Sequence, residues 1–573
     1  MVMLSGLLFL RTRRGNIYNR NFSTLMFSET LAMGTVLCII VATLAYHLAF
    51  GYYDEVPSDL YQHLVLTQRG MQQITSGFPY DFSRVLALRG SGSYWYYLIN
   101  WVSLISGDSS FGLYRYVLVG NIIIFTISVA LCADRLFRAL HFTQAQHQIA
   151  VLLSVFFVFA QMGIHVISFV RYYSYAPTMI NFSVYFTGLV CALNLLENKD
   201  NSMRSVMLIA ITVFTSYFIH NQETLFIVLA CALLVVWSCL ERIVGRRKLG
   251  IRKLLWPLAI LLLVIAGGMS AYLYVRFNLE FHPRTHNLII PLPFTIPMFG
   301  QPHILNPGFG YQFIQVITSW GVAVYLVSLF HLKKLSNQPF LILGMLSPVI
   351  TVFNPLFVDL FIRLEETKVL WRLCYFIPLH FVAAAVCILL WQCVSRSSFP
   401  KQLICSIALL SFFLLLLPSV GPVKLNTYAK TTLERVGIAN RVEYWKDMIE
   451  FLDTLDHKYA ILTDPISGYM ISAFTPHRTF QYKFLTGRWY DERPFLFDNY
   501  DQFPLSKHDG KLLVINYRNG DPSRTGELSH HWHKDVLRLS DYYSMALVVH
   551  LETNPDRFEK LWSRDRISIY LIR

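Results

Sequence analysis

Long apolar runs alternate with short polar segments through the first three-quarters of this chain, and soluble-type patterning takes over after them. The first run, Leu31 to Phe50, passes directly into GYYDEVPSDLYQHL, Gly51 to Leu64. Further runs of membrane-spanning length fall near 115–133, 148–167, 176–196, 205–219, 224–240, 254–275, 311–330, 339–358, 371–394 and 402–418. A span needs about 20 apolar residues, so the pattern predicts a polytopic α-helical membrane protein with about 11 spans. Tyr94 to Ser106, YWYYLINWVSLIS, is apolar but short, and its Tyr and Trp content fits an interfacial or re-entrant helix.

From about Ser419 the pattern becomes that of a small α/β domain. Glu443 to Leu455 has amphipathic helical spacing. Tyr459–Thr463, Lys511–Tyr517, Met545–Leu551 and Ile567–Ile572 read as strands. The expected division is a membrane domain over 1–418, with a first outer loop at 51–114, and an extracytoplasmic domain over 419–573.

Composition agrees with the pattern. Of 573 residues, 54% are hydrophobic and 15% charged, where a soluble domain carries about 25% charge. The net charge of +14 could suggest nucleic acid. The basic residues instead concentrate in short loops such as ERIVGRRKLGIRK (241–253), as the positive-inside rule requires. Nucleic acid is therefore not an expected partner. Arg11, Arg13, Arg14 and Arg20 place the N-terminus in the cytosol and Gly51 to Leu64 outside. An odd number of spans then puts the last domain outside too. The nine cysteines lie in or beside apolar runs and read as small core residues.

Reactive polar residues collect at the outer ends of the spans. Asp54, Glu55, Asp59 and His63 stand in the first loop, Arg171 and Tyr172 between the third and fourth spans, and His220 and Glu223 in the tight turn HNQETL. Lys368 and Arg372 follow in LEETKVLWR. Acids and bases on one face suit an anionic substrate at a membrane surface. In transfer from a lipid-linked sugar phosphate, Arg or Lys holds the departing phosphate. A carboxylate takes the proton of the acceptor hydroxyl. On that reading Asp54, Glu55 or Asp59 is the base. His63, Arg171, Tyr172, His220, Glu223, Lys368 and Arg372 contact the donor's phosphate or sugar.

Each group also has a plainer reading: helix-end flanking for the acids, a structural role for His63, aromatic anchoring for Arg171, and a solvated charge run for Lys368. No Gly-rich phosphate loop is present. The SHHWH stretch at 529–533 reads as a surface loop. No metal ligand is assigned, although a divalent metal is compatible with the chemistry.

The plan resembles the GT-C superfamily of polyprenol-phosphate-sugar glycosyltransferases. The resemblance rests on Tyr53-Asp54-Glu55 after the first span, Asp59 and His63 beyond it, and the helix Tyr94–Ser106. Gly112-Leu113-Tyr114-Arg115-Tyr116, the turn Arg171 to Tyr175 and the terminal soluble domain add to it. Phe353 to Pro378 is faintly similar to bacterial envelope and pilin arabinofuranosyl- or mannosyl-type transferases. The His-Pro-Pro-Leu element of some aminoarabinose and protein mannosyl transferases is absent at Gly92–Tyr96.

The resemblance implies an inverting transferase that uses a polyprenyl-phosphate-linked donor and a lipid, polysaccharide or protein acceptor, among membrane lipids. Two competing classes are an oligosaccharide ligase or polymerase with a lipid-diphosphate donor, and a lipid or solute transporter. A cysteine-free outer domain without N-x-S/T sites in the outer segments favours a bacterial inner membrane, with the site facing the periplasm.

Overall fold

The computed structural model describes residues 37, 93–106, 110–161, 177–197, 202–246, 289–291, 295, 303–305, 320–364, 367–396, 398–420, 441–463, 467–468, 471, 475–479, 509–516, 545–564 and 567–573. The expected spans at 31–50 and 254–275 lie outside them, Leu37 excepted. The chain divides into two compact units. One takes Met1–Thr43, Ile122–Ser174 and Thr178–Lys430. The other takes Leu44–Asn121, Tyr175–Pro177 and Thr431–Arg573.

The first unit is helical. Its main elements are α2 (Ser110–Phe137), α3 (Gln144–Gln161), α4 (Pro177–Glu197), α5 (Ser202–Ile219) and α6 (Asn221–Arg246). They are followed by the β1–β2 hairpin (Ile289–Pro291, His303–Leu305), α7 (Trp320–Phe330), α8 (Pro339–Ile350), α9 (Pro355–Leu364), a 3-10 segment (Thr367–Phe376), α10 (Leu379–Arg396) and α11 (Phe399–Val420). α1 (Ser93–Ser106) and the start of α2 belong to the other unit.

Among the described residues, two helices are long and apolar enough to cross a membrane, Pro177–Leu196 and Gln222–Glu241. The apolar stretches of α3, α5, α7, α8, α10 and α11 are shorter.

The interior of this unit is aromatic. The Phe182 ring on α4 lies 5.8 Å from Phe226 on α6 and 6.1 Å from Tyr375 on the 3-10 segment. Phe376 lies 5.8 Å from both Phe226 and Phe340. α10, buried from Leu379 through Leu390, packs against α3 and α11. The outward faces are apolar as well. α5 exposes Met203, Met207, Phe214 and Tyr217, and α11 exposes Phe399, Leu403, Ile407, Leu410 and Leu414. These residues recur at helical spacing and form apolar stripes of the kind that meet lipid or another apolar surface.

Residues in or beside the segments that the sequence assigns to the inner side meet at one end of the helices. Arg135 Nε donates to Asn194 Oδ1 at 2.5 Å, Gln338 donates to the Leu136 carbonyl at 3.3 Å, and Lys334 donates to Gln392, which donates to Gln146. Asp134 accepts from Arg138 and pairs with His147 at 2.9 Å. Burial raises the Asp134 carboxyl. The His147 hydrogen bond and the Arg138 charge outweigh that and hold it below the usual carboxylate range.

Two expected spans are not continuous helices. The run at 339–358 is broken at Thr351–Asn354 between α8 and α9. Pro348 interrupts the donor series inside α8, and Thr351 Oγ1 turns back onto the Ser347 carbonyl at 2.7 Å. Asn354 Oδ1 then caps the Leu356 N–H at 3.0 Å, with Pro355 opening α9, the favoured start of a new helix. The run at 371–394 starts as 3-10 helix and becomes α10 only after Pro378.

The other unit holds α12 (Arg441–Asp453), β3 (Ala460–Leu462), β4 (Arg478–Thr479), β5 (Leu512–Asn516), α13 (Met545–Thr553), β6 (Phe558–Arg564) and β7 (Ile567–Ile572). Five strands form one sheet in the order β4-β3-β5-β7-β6, parallel across the first three and antiparallel across the rest. Leu512–Ile515 and Ile567–Tyr570 are buried, as central strands covered on both faces must be.

α12 covers the sheet through Phe451, stacked 5.8 Å from Trp562 on β6. His477 fastens the end of α12. Its Nδ1 accepts from the Tyr459 N–H at 3.1 Å, so its Nε2–H donates to the Leu452 carbonyl at 2.8 Å. Met545–Leu551, expected as a strand, is the helix α13. Its apolar residues run together without strand alternation, and Asn554-Pro555 stops the helix. In α1, Trp95, Ile99 and Ser103 form the buried face, while Leu98, Trp101, Val102 and Ile105 are exposed.

Two outcomes follow from the packing. A Cβ on Gly344 would stand 2.5 Å from Pro378 Cδ, a ring with no rotamer to yield. Gly344→Ala is therefore expected to destabilise by about 1–3 kcal/mol, read as a lower thermal midpoint in detergent. Gly120→Ala, with nothing within 4 Å of its new methyl, serves as the control. The stabilisation from the lowered Asp134 carboxyl is complete above its unfolded value of about 4 and is lost as pH falls through the lower folded value. Asp134→Asn should thus lower the midpoint at neutral pH and converge on the parent at strongly acidic pH. Parallel curves at all pH would contradict the assignment.

Candidate polar site at the ends of α4, α5 and α6

α5 and α6 are joined through one residue, His220. Its N–H closes the last turn of α5 on the Ser216 carbonyl at 2.8 Å. Glu223 stands in the first turn of α6, where the helix dipole favours an acid. His220 Nδ1 and Glu223 Oε2 are 2.6 Å apart. A carboxylate only accepts, so Nδ1 is the donor. The His220 side chain is 19% exposed and that of Glu223 is fully buried.

Asn181, one turn into α4, clamps this pair. Its Nδ2 lies 3.0 Å from Glu223 Oε2, 2.6 Å from the His220 carbonyl, and 3.0 and 3.2 Å from Ser216 Oγ and O. Thr224 Oγ1 donates to Ser216 Oγ at 3.0 Å. Two amide protons are thus shared among four acceptors. Within the described residues, Glu223 Oε1, Asn181 Oδ1 and Gln222 Nε2 are buried and lack partners.

The aromatic contacts pack a cation-bearing segment against the two helices that carry Asn181 and Glu223. Phe182 follows Asn181, and Phe226 lies one turn beyond Glu223. Both rings touch the 3-10 segment, through Tyr375 and Phe376 respectively. Arg372, partly buried, lies on that segment one 3-10 turn before Tyr375. The site therefore joins a carboxylate, an imidazole and an amide, with Gln222 next to Glu223 in sequence and Arg372 on the adjoining segment.

Of the residues expected from sequence, the structure brings His220 and Glu223 into contact and places Arg372 on the neighbouring segment. The backbone of Lys368 belongs to the 3-10 segment; its side chain lies outside the described residues. Asp54, Glu55, Asp59, His63, Arg171 and Tyr172 also lie outside them. Asn181, Ser216 and Thr224 were missed. A lone asparagine in the outer turn of an apolar run is the signal that could have found the first. Among the described residues there is no group of three or more His, Cys, Asp or Glu that could hold a metal.

No family model matches the chain, and no curated protein matches it. Among solved structures it is similar to the oligosaccharyltransferase of Archaeoglobus fulgidus. For the apo form the identity is 11%, covering 89% of this chain and 72% of that chain, with a TM-score of 0.38. For the same enzyme tethered with an acceptor peptide containing the NVT sequon, the identity is 11%, the coverages 87% and 70%, and the TM-score 0.39. For its complex with an inhibitory peptide and a dolichol-phosphate, they are 11%, 88% and 71%, and 0.37. Similarity at this level does not establish membership of a family.

The clamp has a measurable consequence. Asn181→Ala strips the shared donor from buried Glu223 and Ser216, which should cost about 1–3 kcal/mol. Thermal unfolding in detergent would read it, and a midpoint equal to the parent's would show that Asn181 holds nothing.

Proposed function

We propose that the protein is an integral membrane glycosyltransferase of GT-C type that moves a sugar from a polyprenyl-phosphate donor to an acceptor hydroxyl at the outer membrane face. The observation that carries the reading is the buried acid–imidazole–amide cluster at one end of an apolar bundle, with Arg372 on the adjoining segment. Such a bundle end is where a lipid-linked head group meets protein.

In this reading about 11 spans cross a bacterial inner membrane. The 419–573 domain and the 51–114 loop face the periplasm. Asp54, Glu55 or Asp59 takes the acceptor hydroxyl's proton as its oxygen forms the glycosidic bond. The bond from the anomeric carbon to phosphate oxygen breaks, and the polyprenyl phosphate leaves as an anion with inversion of configuration. Arg171, Lys368 and Arg372 hold that anion. His63 and Tyr172 border the head group, and His220 and Glu223 contact the donor. The acceptor is a lipid, polysaccharide or protein hydroxyl. The residues proposed here complete the reaction without a metal, and a divalent ion remains compatible with it.

Mass spectrometry of lipids that co-purify with the full chain tests the donor. A polyprenyl monophosphate, bare or carrying one sugar, is expected. A polyprenyl diphosphate bearing a longer glycan would replace the reading with a ligase or polymerase. For the base, Asp54→Asn, Glu55→Gln and Asp59→Asn should be compared. One of them should lower transfer by roughly 10²–10⁴-fold while donor binding persists. Full transfer by all three would remove the base from this loop.

A further inference from the structure

The cluster of Asn181, His220, Gln222 and Glu223 has more acceptors than donors. Asn181 Nδ2 is shared among four acceptors, and Glu223 Oε1 and Asn181 Oδ1, both buried, have no donor among the described residues. These two oxygens flank the 3.0 Å contact between Glu223 Oε2 and Asn181 Nδ2, so they belong to one small locus. Gln222 Nε2, on the residue before Glu223, is the complementary case: a buried donor without an acceptor. Asn181 and Glu223 are fully buried.

A buried acceptor without a donor is costly and calls for a ligand that supplies one. A phosphodiester has no N–H or O–H and would set a second anion beside the Glu223 carboxylate. A hydroxyl donates to one neighbour and accepts from another, which suits two unmatched acceptors with an unmatched donor on the adjacent residue in sequence. Adjacent ring hydroxyls of a sugar present that combination. His220 and Gln222 are the partly exposed members, so solvent reaches the cluster on their side.

We infer that Asn181, Gln222 and Glu223 form a subsite for the hydroxyls of the donor sugar, separate from the groups that hold phosphate. The inference rests on the donor proposed above and narrows the sequence reading of His220 and Glu223 from phosphate or sugar to sugar alone. Glu223 Oε1 and Asn181 Oδ1 accept from ring hydroxyls, and Gln222 Nε2 donates to one of them. His220 keeps the Glu223 carboxylate oriented through Oε2.

The test uses the full chain in lipid nanodiscs and measures binding of one polyprenyl phosphate in three forms: bare, carrying mannose, and carrying arabinofuranose. The parent is expected to bind at least one sugar-bearing form more tightly than the bare lipid. Glu223→Gln and Gln222→Ala should each weaken that form by about tenfold, the scale of one hydrogen bond involving a charged or buried group. Binding of the bare lipid should stay unchanged, which also reports a folded protein.

Equal weakening of all forms would give the cluster a structural role and overturn the inference, with the proposed donor left standing. No preference of the parent for either sugar, or variants that match the parent, would overturn it too, the unmatched oxygens then being served by ordered water. A parent that binds none of the three lipids would overturn the proposed donor itself, and this subsite with it.

Discussion

A carboxylate taken out of water must find compensation close by, and the Glu223 carboxylate imposes that condition on three helices at once. Asn181 on α4 supplies one donor, and His220 between α5 and α6 supplies another. Asn181 also reaches the His220 carbonyl and Ser216, so the end of α5 is held by the same amide. The short turn is what makes this work. With a single residue between the helices, the imidazole lies within one turn of the acid, and a longer loop would let the pair separate. Through these partners Glu223 links α4 and α6 to the His220 turn at this end of the bundle.

Packing transmits that order to the cation-bearing segment. Phe182 and Phe226 stand next to the polar cluster in sequence and pack against each other, Tyr375 and Phe376. Aromatic faces in contact fix distance and tilt more tightly than aliphatic ones do. The close approach of Gly344 to Pro378 seats the end of the 3-10 segment against α8. These rings, none of them charged, fix how the segment that carries Arg372 packs on the helices that carry Asn181 and Glu223.

Much of the architecture was legible because its signals are local. Apolar runs mark helices whatever their neighbours, and the amphipathic 443–455 stretch became α12. What was lost depended on context. An apolar run gives no sign of a break at Thr351–Asn354 unless Pro348, Asn354 and Pro355 are weighed against its length. Met545–Leu551 holds residues that suit either element, and the Asn-Pro stop decides for a helix. At the site, His220 and Glu223 were legible because reactive types adjoin in a tight turn. Asn181 was not, since its partners lie 35 to 42 residues away in sequence.

The two ends of the bundle differ in a way that bears on function. At the end where the segments at 134–147 and 331–338 meet, Arg135, Asp134, Gln146, Lys334, Gln338 and Gln392 all make described hydrogen bonds, and none has a buried side-chain atom without a partner among the described residues. At the opposite end, Asn181, Gln222 and Glu223 keep buried atoms without partners among the described residues, as do both ring nitrogens of His380 near the start of α10. The same chain that satisfies one set of helix ends leaves the other with both acceptors and donors unmatched among the described residues. Packing alone would have favoured apolar residues at the second end, because an incompletely paired buried polar group is worse than none. Carboxylate, amide and imidazole at that end make physical sense where a polar ligand completes the set, and the unmatched acceptors and donor are what the proposed sugar subsite would use.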